Sequence, residues 1–503
     1  MCAITGVYSP DGKAAFYARR LNHEQQHRGQ DTTGIATLEN QTVHLLKAEG
    51  KVNQVFNEKF ELKPEYKYGN AQNIRELAGN HAVGHNRYKT IGIGGPINAQ
   101  PFTLENERFT IIMSHNGHVN NYETACKKLN LEERMQKDWG HASDCDVNAI
   151  LYAFADGLQG KGTDECIRHG VMTVFAEIRG AYTISAAVHD KQTGETVQVA
   201  FKDPLGIRPG FFGRMNGSYA IASETFALER CGFWDIKPIW NGELITIGKK
   251  GITRERMGKG IYTPCQFEMD YFSKAGSALE GKSINHGRYM LGKKLGEKIR
   301  KEKEHWPHSA DFVTYVPNTP IPIAAGMAKV LGMGVRMVME KDPFEYEREF
   351  IKEEGTRHTA DRLSVHWDPV AGKDFILADD SIVRGDTLKT NIALLRTAGA
   401  NNIFVASSYP AIRHTCDMGI DMKTQTELVA HNRTEEEICK HIGADDLIYL
   451  TQEEFAAVLN AKEIDAGIRA KIKAGIFNPE IQEFVSNGNR CNACVTGKNP
   501  THD

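Results

Sequence analysis

Cys2 stands directly after the initiator methionine, in Met1-Cys2-Ala3-Ile4-Thr5-Gly6. Methionine ahead of a small residue is normally removed, so Cys2 is expected to become the first residue of the mature chain. It would then carry a thiol nucleophile and a free α-amino group, whose ordinary pKa near ~8 suits it to act as the neighbouring base. A second chemistry-bearing stretch is Phe375-Ile376-Leu377-Ala378-Asp379-Asp380-Ser381-Ile382-Val383-Arg384-Gly385-Asp386-Thr387. An apolar strand, two acids and a small-residue turn into a helix make a place for ribose hydroxyls, a divalent cation and a phosphate on helix N–H groups. A third is Cys491-Asn492-Ala493-Cys494. On its own that pair is open among a zinc half-site, a redox pair and no site at all.

The elements that must position these groups fall into two blocks, as expected for 503 residues. Residues 1–248 read as short β-rich runs with helical patterns between them, among them Thr110-Ile111-Ile112-Met113, Ala181-Tyr182-Thr183-Ile184-Ser185, Val197-Gln198-Val199-Ala200-Phe201 and Tyr219-Ala220-Ile221-Ala222. That pattern predicts an α+β or layered αββα unit. Residues 249–477 alternate helix and strand, with strands at 311–316, 375–378 and 402–408 and helices at 288–303, 323–331 and 387–398. Such alternation predicts a doubly wound parallel sheet. Residues 478–503 read as a tail packed on another part of the chain.

Composition narrows the function. The 61 Lys+Arg and 64 Asp+Glu nearly cancel, which gives no reason to expect nucleic acid or an anionic membrane as partner. The start lacks a basic and apolar leader, and no apolar run is long enough to span a bilayer, so a cytoplasmic location is expected. Ten cysteines in such a chain imply free thiols, a nucleophile or metal ligands rather than disulfides.

Several local clusters accompany Cys2. They are Gln26-His27-Arg28-Gly29-Gln30-Asp31, Asn86-Arg87-Tyr88, Gln100-Pro101-Phe102, His115-Asn116-Gly117, Asp203-Pro204-Leu205-Gly206-Ile207-Arg208-Pro209 and Ala222-Ser223-Glu224. Ser143-Asp144-Cys145-Asp146 reads as the N-cap of a helix. In this order the set resembles the class II, N-terminal-nucleophile glutamine amidotransferases, and among them the amidophosphoribosyltransferases. The 375–387 stretch is similar to the type I phosphoribosyltransferase signature of the same family. The resemblance implies an Ntn-hydrolase αββα domain followed by a type I phosphoribosyltransferase domain. It also implies the roles. Cys2 attacks the glutamine amide, the Asn116 side chain and the Gly117 N–H receive the oxyanion, Arg87 clamps the α-carboxylate and Asp144 takes the α-ammonium. Asp379, Asp380, Ser381, Arg384, Gly385, Asp386 and Thr387 hold the phosphoribosyl group, with Mg²⁺ near Asp379, Asp380 and Thr319.

The implied reaction hydrolyses glutamine in the first domain and passes ammonia internally to C1 of 5-phosphoribosyl 1-diphosphate. 5-Phosphoribosylamine, glutamate and pyrophosphate result, in the first step of purine synthesis. Homodimers or homotetramers are expected by the same resemblance. Some members carry a [4Fe–4S] cluster on a C-terminal Cys-x-x-Cys and two distant cysteines. Here Cys265 and Cys416 stand with Cys491 and Cys494 at matching positions, zinc or no metal being the alternative.

Departures from the pattern lie in the second half. The usual Tyr-Phe-Ala-Arg-Pro-Asp-Ser reads Tyr271-Phe272-Ser273-Lys274-Ala275-Gly276-Ser277, and the pyrophosphate loop reads Pro317-Asn318-Thr319-Pro320. The closing segment is acidic, Lys341-Asp342-Pro343-Phe344-Glu345-Tyr346-Glu347-Arg348-Glu349-Phe350, and a later lysine is replaced within Arg362-Leu363-Ser364-Val365-His366. Loss of positive charge beside a diphosphate keeps a second expectation open: a paralogue whose intact glutaminase delivers ammonia to a different phosphoribosyl-type acceptor.

Overall fold

The computed structural model describes residues 2–57, 66–88, 95–341, 363–422, 424–461, 465–486 and 488–500. Met1, the acidic stretch 342–350 and Arg362 lie outside the described residues.

Period-two alternation in the first half builds two antiparallel sheets. One runs, edge to edge, through Trp234–Pro238, Phe211–Met215, Ser218–Ala222, Ala3–Tyr8, His81–Arg87, Thr32–Glu39, Thr42–Glu49 and Lys67–Tyr68. The other runs through Gly251–Arg256, Glu243–Gly248, Glu195–Lys202, Gly180–Asp190, Phe109–Val119 and Phe102–Glu105. Neighbouring residues choose opposite faces. Ile112 meets Ala36, Leu38 and Val83 between the sheets, while Ile111 and Met113 turn outward to the helices Val147–Gly157 and Thr163–Glu177. On the far side Ala14, Ala18 and Leu21 of the helix Ala14–Glu24 cover Val7, Ile35 and Leu46. The layers are therefore helix, sheet, sheet, helix. Each fully buried Ile, Leu or Phe in them contributes about 1.5–3 kcal/mol of burial. The strand Gly251–Arg256 pairs with Glu243–Gly248, so this sheet continues beyond residue 248.

The second half holds a parallel sheet in the order Phe312–Tyr315, Phe375–Asp379, Ile403–Ser407 and Asp446–Tyr449. Val313, Ile376, Ala378, Phe404 and Ala406 pack toward the helices Ile284–Glu302 and Ile321–Leu331. Phe312, Phe375, Leu377, Ile403 and Val405 pack toward the helices Asp386–Thr397 and Glu435–Ile442. Helices on both faces make the sheet doubly wound. A parallel bridge from Val313 to Val335 lies on the side of Phe312–Tyr315 away from Phe375–Asp379. The chain order thus reverses between those two strands, and open α/β sheets bind ligands outside the carboxyl ends at such a point.

The halves share one apolar core, which runs from Val7 and Phe211 through Phe267 to Ile376 and Tyr409. A buried ionic cluster crosses the junction. Arg28 donates to Glu224 Oε1 at 2.8 Å and to Glu268 Oε1 at 2.8 Å, with Arg208 3.5 Å from the same Glu268 oxygen. The tail ties the halves further. Asn478 N–H bonds Ile236 O at 2.9 Å, Phe484 packs 4.3 Å from Tyr262, and Arg490 pairs with Glu280.

Candidate active sites

Cys2 heads the central strand of the first sheet and is 9% exposed, with Sγ 3.9 Å from Tyr88 O. Arg28 Nε donates to Cys2 O at 3.1 Å and fixes its backbone from below. Antiparallel pairing of Ala3 with Asn86 brings Arg87, buried at the end of His81–Arg87, beside Cys2. Asn116 and Gly117 lie on the facing sheet, in Phe109–Val119. His85 Nε2 lies 3.1 Å from His115 O, and Ser114 Oγ donates to Gly84 O at 3.2 Å, so the two strands are pinned where Asn116 begins the site. Asn116 is 1% exposed and its Nδ2 has no hydrogen-bond partner, which leaves a buried donor for an oxyanion. A Cβ on Gly117 would fall 1.9 Å from Ala181 O, so only glycine permits this close approach of strands.

Asp144 lies half-buried in the loop before Val147–Gly157. The expectation that 143–146 caps this helix needs correction. Asp146 occupies the N-cap but makes no capping bond. Its carboxylate sits 3.3 Å from both His115 Nε2 and His118 Nδ1 and accepts from Val119 N at 3.0 Å. Burial opposes the ionised form, yet these two imidazoles hold the Asp146 carboxyl far below the usual carboxylate range. Gln100 Nε2 donates to His115 Nδ1 at 3.1 Å, which leaves Nε2 as the protonated nitrogen facing Asp146. The cluster orients the strand residue next to Asn116. Cys145 is buried within electrostatic range of Arg87 and Cys2, and burial pushes its thiol up to about 12.

The second site forms at the reversal point of the parallel sheet. Asp379 ends its strand and Asp380 follows; both are buried. Gly385 takes φ +87°, a left-handed conformation suited to glycine, and begins Asp386–Thr397 without supplying a side-chain cap. Asp386 and Thr387 are exposed at that helix start, the position at which a helix N-terminus can cradle a phosphate. Ser381 Oγ is buried without a partner. Thr319 is half-buried on the neighbouring loop after Phe312–Tyr315. Arg384 is engaged elsewhere: Nη2 lies 2.6 Å from Glu427 and donates to Asp421 O at 3.2 Å.

Sequence reasoning missed the floor of this site. Asp270 is fully buried, accepts from Ser408 Oγ at 2.9 Å and leaves Oδ2 without a partner. Burial, then the charge of Asp380, raises the Asp270 carboxyl well above its ordinary value. Burial and then the charge of Asp380 raise Asp379, whereas burial alone raises Asp380. Arg288, buried and donating to Met269 O and Ser273 O, is the cation that tempers Asp270 and Asp380. The one available signal was an acid two residues after Glu268 in an otherwise apolar-aromatic run. Tyr271 stands within electrostatic range of Asp380, Asp379, Arg384 and Tyr88. Tyr88, whose carbonyl meets Cys2 Sγ, therefore looks across at the second site.

Cys265, Cys416, Cys491 and Cys494 converge behind both sites. Cys265 and Cys491 form a parallel bridge, Arg413 N and His414 N both donate to Cys494 O at 3.0 Å, and Tyr409 Oη lies 3.5 Å from Cys494 Sγ. Burial, and then proximity to Cys416 and Cys494, pushes the Cys491 thiol up to about 12. Among the described residues no three His, Cys, Asp or Glu side chains are grouped closely enough to hold a metal ion. Residues 416–422 also reach the first site. A Cβ on Gly419 would meet Gly117 O at 2.8 Å, and Arg208 Nη2 bonds Met418 O.

Residues 85–230 match the family model described as a glutamine amidotransferase domain. With the parallel-sheet half attached, the chain has the build of a two-site amidotransferase. It is 33% identical over 500 residues to the amidophosphoribosyltransferase of Escherichia coli (strain K12), covering 96% of this chain and 90% of that protein. It is 30% identical over 508 residues to the amidophosphoribosyltransferase of Archaeoglobus fulgidus, covering 99% and 98%. The solved glutamine phosphoribosylpyrophosphate amidotransferase from Bacillus subtilis, complexed with ADP and GMP, matches with a TM-score of 0.80 at 27% identity, covering 99% of this chain and 97% of that one. The chain belongs to the amidophosphoribosyltransferase family.

Proposed function

We propose that the chain takes ammonia from glutamine and places it on C1 of 5-phosphoribosyl 1-diphosphate, as a glutamine-dependent amidophosphoribosyltransferase. The observation that carries this reading is the placement of the two sites within one chain, facing each other across Tyr88 and Tyr271. Cys2 thiolate attacks the side-chain carbonyl of glutamine, and the Asn116 side chain with the Gly117 N–H receives the oxyanion. Collapse expels ammonia and leaves a thioester. Water then releases glutamate, with the Cys2 α-amino group, once Met1 is removed, moving the proton. Arg87 and Asp144 hold the two charged ends of the amino acid.

In the second site the start of Asp386–Thr397 cradles the 5-phosphate while Asp379 and Asp380 take the ribose hydroxyls. Mg²⁺ fits there. Buried acids that repel one another are stabilised by a dication, and when bound it neutralises charge building on the departing pyrophosphate. Ammonia displaces pyrophosphate, losing one proton as 5-phosphoribosylamine forms. Purified protein given both substrates is expected to release glutamate and pyrophosphate in equal amounts. Ammonium salts with phosphoribosyl diphosphate alone should also release pyrophosphate. Glutamate without pyrophosphate in both assays would assign the ammonia to a different acceptor.

The four converging cysteines would hold a [4Fe–4S] cluster, with zinc or no metal as the alternative. A cluster there would tie the tail to both halves. Anaerobically purified protein is expected to contain about four irons per chain with broad visible absorbance, and Cys416→Ser to lose both; one zinc per chain would overturn the assignment. Ten free thiols accord with a reducing cytoplasm, and a dimer or tetramer is the assembly the family resemblance implies.

A further inference from the structure

Lys47 is a lysine in the interior of the sandwich. It lies on Thr42–Glu49, on the same face as Leu45, and is 2% exposed. Among the described residues the charged groups that act on its ammonium are Cys145 and Arg87, neither of them a carboxylate. The ammonium sits 4.2 Å from the Phe102 ring and 4.9 Å from the Tyr68 ring, and donates to Ala99 O at 2.6 Å and Ile97 O at 3.2 Å. Those two carbonyls flank Asn98. Asn98 Oδ1 accepts from Ser143 Oγ at 2.7 Å, and Ser143 Oγ in turn accepts from Cys145 N at 3.3 Å. Asp144 is the residue between them. One segment further on, Gln100 Nε2 donates to Cys145 Sγ at 3.6 Å. Asp144 is thus held from both sides by a turn that Lys47 fastens.

We propose that Lys47 is a positioning residue of the glutamine site, one that sets the Asp144 carboxylate through Asn98 and Ser143 and thereby sets recognition of the substrate's α-ammonium. This deepens the function given above and rests on Asp144 receiving that ammonium. A buried cation without a counter-ion costs several kcal/mol, and an apolar side chain of equal length would fill the space without that cost. What Lys47 supplies that methionine does not is a pair of donors aimed at both sides of Asn98. Burial, the largest influence, lowers the Lys47 ammonium to about 7, so its hold on the two carbonyls persists from either protonation state.

The experiment compares glutamine with 4-carbamoylbutanoate, which is glutamine without its α-amino group. Glutamate or glutarate release is measured for wild type, Asp144→Asn, Lys47→Met and Ser143→Ala. Ammonia-dependent pyrophosphate release serves as the test of folding. Wild type should prefer glutamine in kcat/KM. Lys47→Met and Ser143→Ala are each expected to lose at least tenfold of that preference, through a raised KM for glutamine, with the KM for the analogue and the ammonia-dependent rate unchanged. If Asp144→Asn keeps the preference, the ammonium assignment falls. If Asp144→Asn loses it while Lys47→Met and Ser143→Ala keep it, the role of Lys47 is overturned and the ammonium assignment stands. Should Lys47→Met fail to fold, Ser143→Ala, which cuts the same path one bond later, decides by the same ratio.

Discussion

Alanine at position 2 is expected to lower glutamine-dependent turnover by at least about 10³-fold while ammonia-dependent turnover stays within about twofold of wild type. The asymmetry follows from where the thiol sits. Cys2 lies at the start of an inner strand, and its carbonyl takes a bond from Arg28 that alanine preserves. Among the described residues the Sγ makes one weak hydrogen bond, 3.9 Å to Tyr88 O, so little bonding is lost with it. What disappears is the atom proposed to form the thioester. Asn116 and Gly117 would still offer an oxyanion site, but water would have to supply the nucleophile, and residual turnover of that kind is small. The proposed phosphoribosyl site uses none of these groups. Two assays on one preparation check the split: glutamate release from glutamine, and pyrophosphate release with ammonium salts at alkaline pH. Persistent glutamine hydrolysis by Cys2→Ala would remove the nucleophile from the reaction. Protein that retains Met1, seen by mass spectrometry, should show the same selective loss, because its α-amino group is then no longer beside the thiol.

The elements that sequence shows well are those whose pattern is local. Phe375–Asp379 and Ile403–Ser407 are apolar runs between turn signals, and Thr163–Glu177 keeps a helical period throughout. The helix expected from residue 288 begins instead at Ile284, because Ser283 accepts from His286 N at 3.4 Å and starts it among weak helix formers. Residues 143–146 were harder. Asp146 has the look of an N-cap, but two histidines from a facing strand claim its carboxylate. A capping signal and a tertiary ion pair are spelled with the same residue. For the sites, Cys2, Arg87, Asn116 and the 379–387 turn stand in short contiguous clusters, so type and spacing were enough to single them out. Lys47, Asp270 and Arg288 sit in no cluster. Each matters because it is buried, and burial is decided by strands and helices distant in the chain. A lysine two residues from Leu45 on a strand was the faint clue, since it shares that residue's inward face.

Asp380→Asn is expected to lose activity and gain stability together. Three carboxylates, Asp270, Asp379 and Asp380, are buried around one another, with the Arg288 cation acting on Asp270 and Asp380. Burial raises Asp380 above its ordinary value, so the folded state binds that proton more tightly than the unfolded chain does. The stability this contributes is complete below the unfolded pKa near ~3.9 and is lost as pH rises through the folded value. Above the folded value wild type has lost it. Asparagine cannot ionise, and its Oδ1 can keep the bond from Ser381 N now made at 2.9 Å. A gain of about 1 kcal/mol at pH 7–8, fading toward pH 4, is therefore expected in magnesium-free buffer, read by denaturant unfolding across that range. Activity moves the other way. A carboxylate that accepts a ribose hydroxyl, or faces a magnesium diphosphate, makes a charge-assisted contact worth about 1.5–3 kcal/mol, so pyrophosphate release should fall about 10–100-fold. The fall should be equal with glutamine and with ammonia, since the lost contact lies after the two routes join. A variant that is more stable yet equally active would mean that the acidic pair does not touch the sugar, and that the repulsion stored beneath the parallel sheet serves some other purpose.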